Sequence, residues 1–216
     1  MLVRYRMSTD VITITPDTTI VDAMLLLREN DIGRLPVVDK KGALVGIVTD
    51  SDLSEVEPSS ATTLSVFELN YLLAQSKVSD VMTTHLQTIS PEALIEEAAI
   101  LMRDKKIGGL PVVENDKLVG IVTESDIFDS FIELMGFRET GGKIAIEVED
   151  KPHVLATVAG IVGDMGANIA NVGVYRWNGI PHLIFRIYKG SPVSVEEVGK
   201  KLKAEGYNVT STHSME

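Results

Sequence analysis

MSTDVITITPDTTIVDAMLLLRENDIGRLPVVD, residues 7–39, returns as MTTHLQTISPEALIEEAAILMRDKKIGGLPVVE, residues 82–114, and LVGIVTDSDL (44–53) returns as LVGIVTESDI (118–127). The paired stretches align without gaps and share 23 identities in 43 positions, so the first part of the chain is one unit written twice. Inside each copy the apolar pattern changes in the same order. A short strand ends near Thr13 or Thr88, a turn follows at Pro16 or Pro91, and an amphipathic helix places Ile20, Met24 and Leu27, or Ile95, Ala99 and Met102, on one face. LPVV and LVGIV read as strands by length and β-branched content, and a helix begins at TDSD or TESD. Each copy is predicted as β-α-β-β-α.

Between the copies, TLSVFELNYLLAQ carries a Ser65-x-x-Glu68 capping box ahead of an apolar stripe that includes Phe67, Tyr71 and Leu72, which predicts a linking helix. An apolar stretch after Ile127 runs to Phe137, and RETGG (138–142) reads as a polar, glycine-rich linker. From Lys143 the order becomes β-α-β-β-α-β, which predicts a ferredoxin-like antiparallel sheet with both helices on one face. The expected organisation is therefore α+β: a first repeat over 1–60, a linking helix with the second repeat over 61–137, and a third domain over 143–216.

Composition narrows the function. With 31 acidic and 20 basic residues the formal charge is -11, and no basic stripe collects, so nucleic acid is not expected as a partner. Cysteine is absent, and no amino-terminal apolar run follows a basic start. Every apolar run falls short of the roughly 20 residues of a membrane helix. A cytoplasmic protein without a membrane segment is the expectation. His85, His153, His182 and His213 lack metal-ligand spacing, and no nucleophile–base order, phosphate loop or paired carboxylates emerge, so neither a metal site nor an enzyme is expected. Trp177, beside Asn178 and Gly179 in an expected hairpin turn, reads as an interface residue.

The chemistry concentrates in Gly-x-x-Thr-acid-Ser-Asp, at Gly46–Asp52 and Gly120–Asp126, where a strand ends and a helix begins. Unpaired N–H groups at a helix start stabilise an anion. The hydroxyls of Thr49, Ser51, Thr123 and Ser125 can bond phosphate or sugar, and Asp52 and Asp126 can accept from a cis-diol such as ribose. The same spacing is also that of an ordinary helix cap, and the two roles are compatible.

These residues make the repeat resemble the CBS domain, and two in tandem resemble a Bateman module, over about residues 1–135. That resemblance implies a regulatory sensor of AMP, ADP, ATP or S-adenosylmethionine with two clefts between the copies. It places Asp52 and Asp126 on ribose, with Thr49, Ser51, Thr123 and Ser125 near ribose and phosphate. Adenine would lie on walls from Ile12 and Ile32, or Gln87 and Ile107, and each cleft would mix the copies: Thr49–Asp52 facing Gln87 and Ile107, Thr123–Asp126 facing Ile12 and Ile32. Arg34 stands where many members carry a phosphate contact. Its counterpart is Gly109, so unequal clefts are expected, one binding a charged nucleotide and the other empty or holding a less charged ligand, with the Thr123–Asp126 cleft the one nearest Arg34. A solvated surface arginine is the alternative for Arg34.

DKPHVL followed by GANIANV resembles the ACT domain, which implies an amino-acid site or a dimerising domain. Asp150 and Asn168 are the residues carried over, together with His153, which stands where that family's Asp-x-Pro-Gly turn has glycine. The whole order resembles the acetoin-utilisation AcuB-like proteins. It implies a non-enzymatic homodimer that needs no cofactor and acts on an unidentified target; the alternative is a constitutive assembly module with vestigial clefts.

Overall fold

A computed structural model describes residues 1–55, 75–138 and 140–215, and these divide into two compact units, Met1–Phe128 and Asp129–Glu216. The helix expected around Ser65 and Glu68 falls outside the described residues.

In the first unit the copies repeat one plan. α1 (Ile20–Glu29) leads to the antiparallel pair β1 (Arg34–Val38) and β2 (Leu44–Thr49) and then α2 (Asp50–Ser54). In the second copy α3 (Ile95–Lys105) leads to β3 (Gly109–Glu114), β4 (Lys117–Thr123) and α4 (Glu124–Leu134), the last crossing into the second unit. The first strand of each copy shrinks to a single parallel bridge, Ile14 to Val37 and Ile89 to Val112. α1 starts where the Thr19 hydroxyl accepts from the Asp22 N–H, satisfying one of the orphan donors of the first turn. Its buried face is Ile20, Ala23 and Leu27, with Met24 packed alongside. In α3 the buried face is Ile95, Ala98 and Met102; Ala98, three residues on from Ile95, takes the core position expected of Ala99. The β1–β2 turn is closed by Asp39, whose Oδ1 accepts from the N–H groups of Lys41 and Ala43. The β3–β4 turn uses only Asn115 and Asp116, both at positive φ, and is the shorter of the two.

Each copy has its own core, and each core takes one fully buried residue from the segment that precedes the other copy. Val78 lies with Ile20, Leu35 and Val48, whereas Val3 lies with Ile95, Leu110 and Val122. The exchange continues in the main chain: Ser8 and Ile121 trade N–H···O bonds, as do Ile47 and Thr83. It also accounts for the glycines of the repeated motif. A Cβ on Gly46 would lie 2.5 Å from the Met82 sulfur, and one on Gly120 would lie 2.7 Å from the Met7 sulfur and 2.9 Å from the Ser8 carbonyl oxygen. Those glycines admit the lead-in of the opposite copy.

The second unit is a four-stranded antiparallel sheet in the order β6-β7-β5-β8, from β5 (Gly141–Glu147), β6 (Ile169–Trp177), β7 (Ile180–Tyr188) and β8 (Asn208–Met215). α5 (Val154–Asp164) and α6 (Val195–Ala204) pack on one face, where Val158, Val162, Val198 and Leu202 meet Ile144, Ile146, Leu183 and Phe185. The opposite face receives residues 134–137: the Asn171 amide donates to the Leu134 carbonyl, and the Arg186 guanidinium lies 4.9 Å from the Phe137 ring centre. The stretch after Phe128 is thus structured with this sheet. Gly141 and Gly142 open β5 and do not continue a flexible linker. A Cβ there would meet the Ile187 carbonyl oxygen at 2.0 Å or the Val195 side chain at 2.4 Å, so tight strand and helix packing explains the two glycines. The Trp177–Ile180 hairpin turns through Asn178 and Gly179, both at positive φ.

His153 precedes α5 at φ 68, a left-handed conformation that favours glycine, and its exposed side chain makes no cap hydrogen bond. His153→Gly is expected to raise the stability of this unit by about 0.5–1 kcal/mol. A denaturant midpoint that stays put or falls would show that the backbone there carries no strain.

Candidate functional site

The exchanged lead-ins bond Ser8 to Ile121 of β4 and Thr83 to Ile47 of β2. Two clefts result, both inside the first unit. One, of about 410 Å³, brings Thr123, Ser125 and Asp126 together with Ile12 and Ile32. The other, of about 450 Å³, brings Thr49, Ser51 and Asp52 together with Gln87 and Ile107. In each cleft the Thr-acid-Ser-Asp segment of one copy thus faces wall residues of the other.

The threonine and aspartate are locked to each other. Asp126 Oδ2 accepts from the Thr123 N–H and hydroxyl, both at 2.7 Å, and Asp52 Oδ2 accepts from the Thr49 N–H and hydroxyl, both at 2.8 Å. The Asp52 N–H returns a 3.2 Å bond to Thr49 Oγ1, completing a capping box. In both copies, then, the threonine hydroxyl donates its proton to the aspartate, which fixes the carboxylate against the cleft. Ser51 and Ser125 are exposed, one residue before it.

Arg34 is half-buried, and loss of solvent pushes its pKa below the ordinary arginine value, opposed by the Glu124 carboxylate. Its guanidinium reaches across β3: a Cβ on Gly109 would fall 2.0 Å from Nη1, and one on Gly108 would fall 2.8 Å from Nη2. The missing side chain at Gly109, the counterpart of Arg34, is what makes room for it. Arg34 consequently lines both clefts and cannot by itself distinguish them. Asp10, Asp31 and Glu124 in the first cleft, and His85 and Lys106 in the second, are not among the ligand contacts expected from the sequence. The repeat alignment pairs Asp10 with His85 and Asp31 with Lys106, and that pairing is the signal that could have found them.

In the second unit Asp150 is ion-paired with Arg176 near the end of β6. Asn168 precedes the start of that nine-residue strand, and its carbonyl accepts from Tyr188. A strand of that length spans roughly 26 Å. Asp150 and His153 therefore sit at one end of the sheet and Asn168 at the other, so the three do not converge within one chain. A cavity beside the Asp150 turn is lined instead by Glu149, Lys151, Thr157 and Tyr207.

Two interlocked β-α-β-β-α copies with two clefts between them define a tandem domain pair, and the CBS domain family matches residues 3–58 and 78–133. The chain belongs to the CBS domain family. It is similar to a putative acetoin utilization protein, AcuB, from Vibrio cholerae, at 34% identity and a TM-score of 0.54 over 64% of this chain and 95% of that one. It is similar to the CBS domain pair of protein MJ0100 in complex with 5′-methylthioadenosine and S-adenosyl-L-methionine, at 29% identity and a TM-score of 0.52 over 64% and 98% of the two chains. CBSX2 in complex with AMP matches at 30% identity and a TM-score of 0.52 over 61% and 96%. No described helix is long and apolar enough to cross a membrane.

Proposed function

We propose that this chain is a non-catalytic regulatory sensor whose two clefts bind adenosyl compounds. The observation that carries the reading is the construction of each cleft, in which a threonine-anchored aspartate from one copy faces an apolar wall from the other. The carboxylate of Asp52 or Asp126 receives the ribose hydroxyls, Ile12 and Ile32, or Ile107 beside Gln87, flank the base, and Arg34 supplies the cation at the junction. The adenosyl ligands of MJ0100 and CBSX2 support the same class here. A ligand bound across the two copies shifts the pair toward the arrangement it prefers, which is the signal.

Thermal-shift measurements with AMP, ADP, ATP, 5′-methylthioadenosine and S-adenosylmethionine test this. A ligand at 100 times its dissociation constant adds about 2.7 kcal/mol to the stability of the state it binds. No shift with any of them leaves the constitutive assembly module, with vestigial clefts, as the reading.

We read the second unit as ACT-like and dimerising. Its strand order, both helices on one face and the left-handed backbone at His153 support the first part, and exposed Val174, Trp177 and Ile180 on the β6–β7 hairpin support the second. An amino-acid site built from Asp150, His153 and Asn168 would need residues from two chains.

A further inference from the structure

The copies differ in charge where they line the clefts. By the repeat alignment Asp10 corresponds to His85 and Asp31 to Lys106, an acid in the first copy standing each time where the second has a base or an imidazole. Asp31 and Lys106 hold the same backbone conformation, at φ 52 and 56, each shortly after the helix of its copy, so the exchange is one of charge at a matched position. The Thr123 cleft is thereby lined by Asp10, Asp31, Glu124 and Asp126 against the guanidinium of Arg34. In the Thr49 cleft Asp50 and Asp52 face Arg34 and Lys106, with His85 beside them. Arg34 lines both and drops out of the comparison.

We propose that the two clefts sort adenosyl ligands by charge: the Thr49–Asp52 cleft takes an adenosine phosphate, and the Thr123–Asp126 cleft takes a neutral or cationic adenosyl compound. This rests on the reading of both clefts as adenosyl sites. A phosphate dianion placed among these carboxylates is repelled more than the guanidinium compensates, whereas a sulfonium and ammonium, as in S-adenosylmethionine, are attracted there. The balanced lining around Lys106 favours the phosphate.

Titration calorimetry on the full chain tests the sorting with AMP and 5′-methylthioadenosine, each alone and then one added to protein saturated with the other. Both are expected to bind together, each retaining its affinity in the presence of the other. Lys106→Asp, a residue the other copy carries at this backbone position, is expected to weaken AMP at least about tenfold, or 1.4 kcal/mol, and to leave 5′-methylthioadenosine unchanged. Asp31→Lys is expected to admit a second AMP. Mutual displacement of the two compounds, or an AMP affinity indifferent to Lys106→Asp, overturns the sorting and leaves the sensor reading intact. Absence of binding by AMP, ADP, ATP, 5′-methylthioadenosine and S-adenosylmethionine alike overturns both.

Discussion

Phe185→Ala is expected to lower the stability of the second unit by about 3–5 kcal/mol, because it truncates the largest fully buried side chain among the described residues. Phe185 belongs to β7, which lies inside the sheet, and its side chain is packed under α5 and α6. Truncation removes the apolar contact and leaves a cavity that neither the strand nor two helices can collapse to fill. Among the described residues, the core it belongs to draws only on the second unit, while the two CBS cores draw only on the first. Calorimetry should therefore show the transition of the C-terminal unit moving down or vanishing, while the thermal shift produced by AMP on the tandem pair persists. Loss of the nucleotide response along with that transition would show that the CBS pair depends on the second unit for its fold.

Asp126→Ala carries two effects that measurement can separate. The first is structural, because Oδ2 holds the Thr123 N–H and hydroxyl at the start of α4; losing such a cap costs about 0.5–2 kcal/mol of stability. The second is binding, because charge-assisted bonds to ribose disappear, at about 1.5–3 kcal/mol, or roughly 10- to 150-fold in affinity. Asp126→Asn keeps an oxygen to accept from Thr123 and is expected to restore most of the stability but little of the affinity. Asp52→Ala should act the same way on the other cleft. If the alanine variants lose stability and bind every adenosyl ligand as before, the aspartates are caps and nothing more.

Much of this architecture is legible in the sequence because its signals are local. The repeat, the β-α-β-β-α order, the helix starts and the pairing of threonine with aspartate three residues on all depend on contacts within a few residues, and an internal copy doubles each signal. Where local signals are ambiguous, the sequence misleads. Gly141 and Gly142 have the composition of a linker, yet they open a strand because Val195 and the Ile187 carbonyl leave no room for a side chain. Asp150 and Asn168 look like partners from a family pattern, but β6 runs between them and keeps them apart.

The amino-acid sequence determined, by itself, that there are two equivalent units, which residues each offers for ligand chemistry, and that a different α+β unit follows. Only the tertiary structure decided that the lead-in of each copy belongs to the core of the other, through Val3, Val78 and the main-chain pairs Ser8–Ile121 and Ile47–Thr83. Those contacts join residues far apart in the chain through short bridges that carry no periodic pattern, so nothing local announces them. From that exchange follow the mixed clefts, the reach of Arg34 across Gly109 into both, and the opposition of Asp31 to Lys106 at equivalent places. A repeat makes two sites alike; the charges its copies bring to each wall make them different.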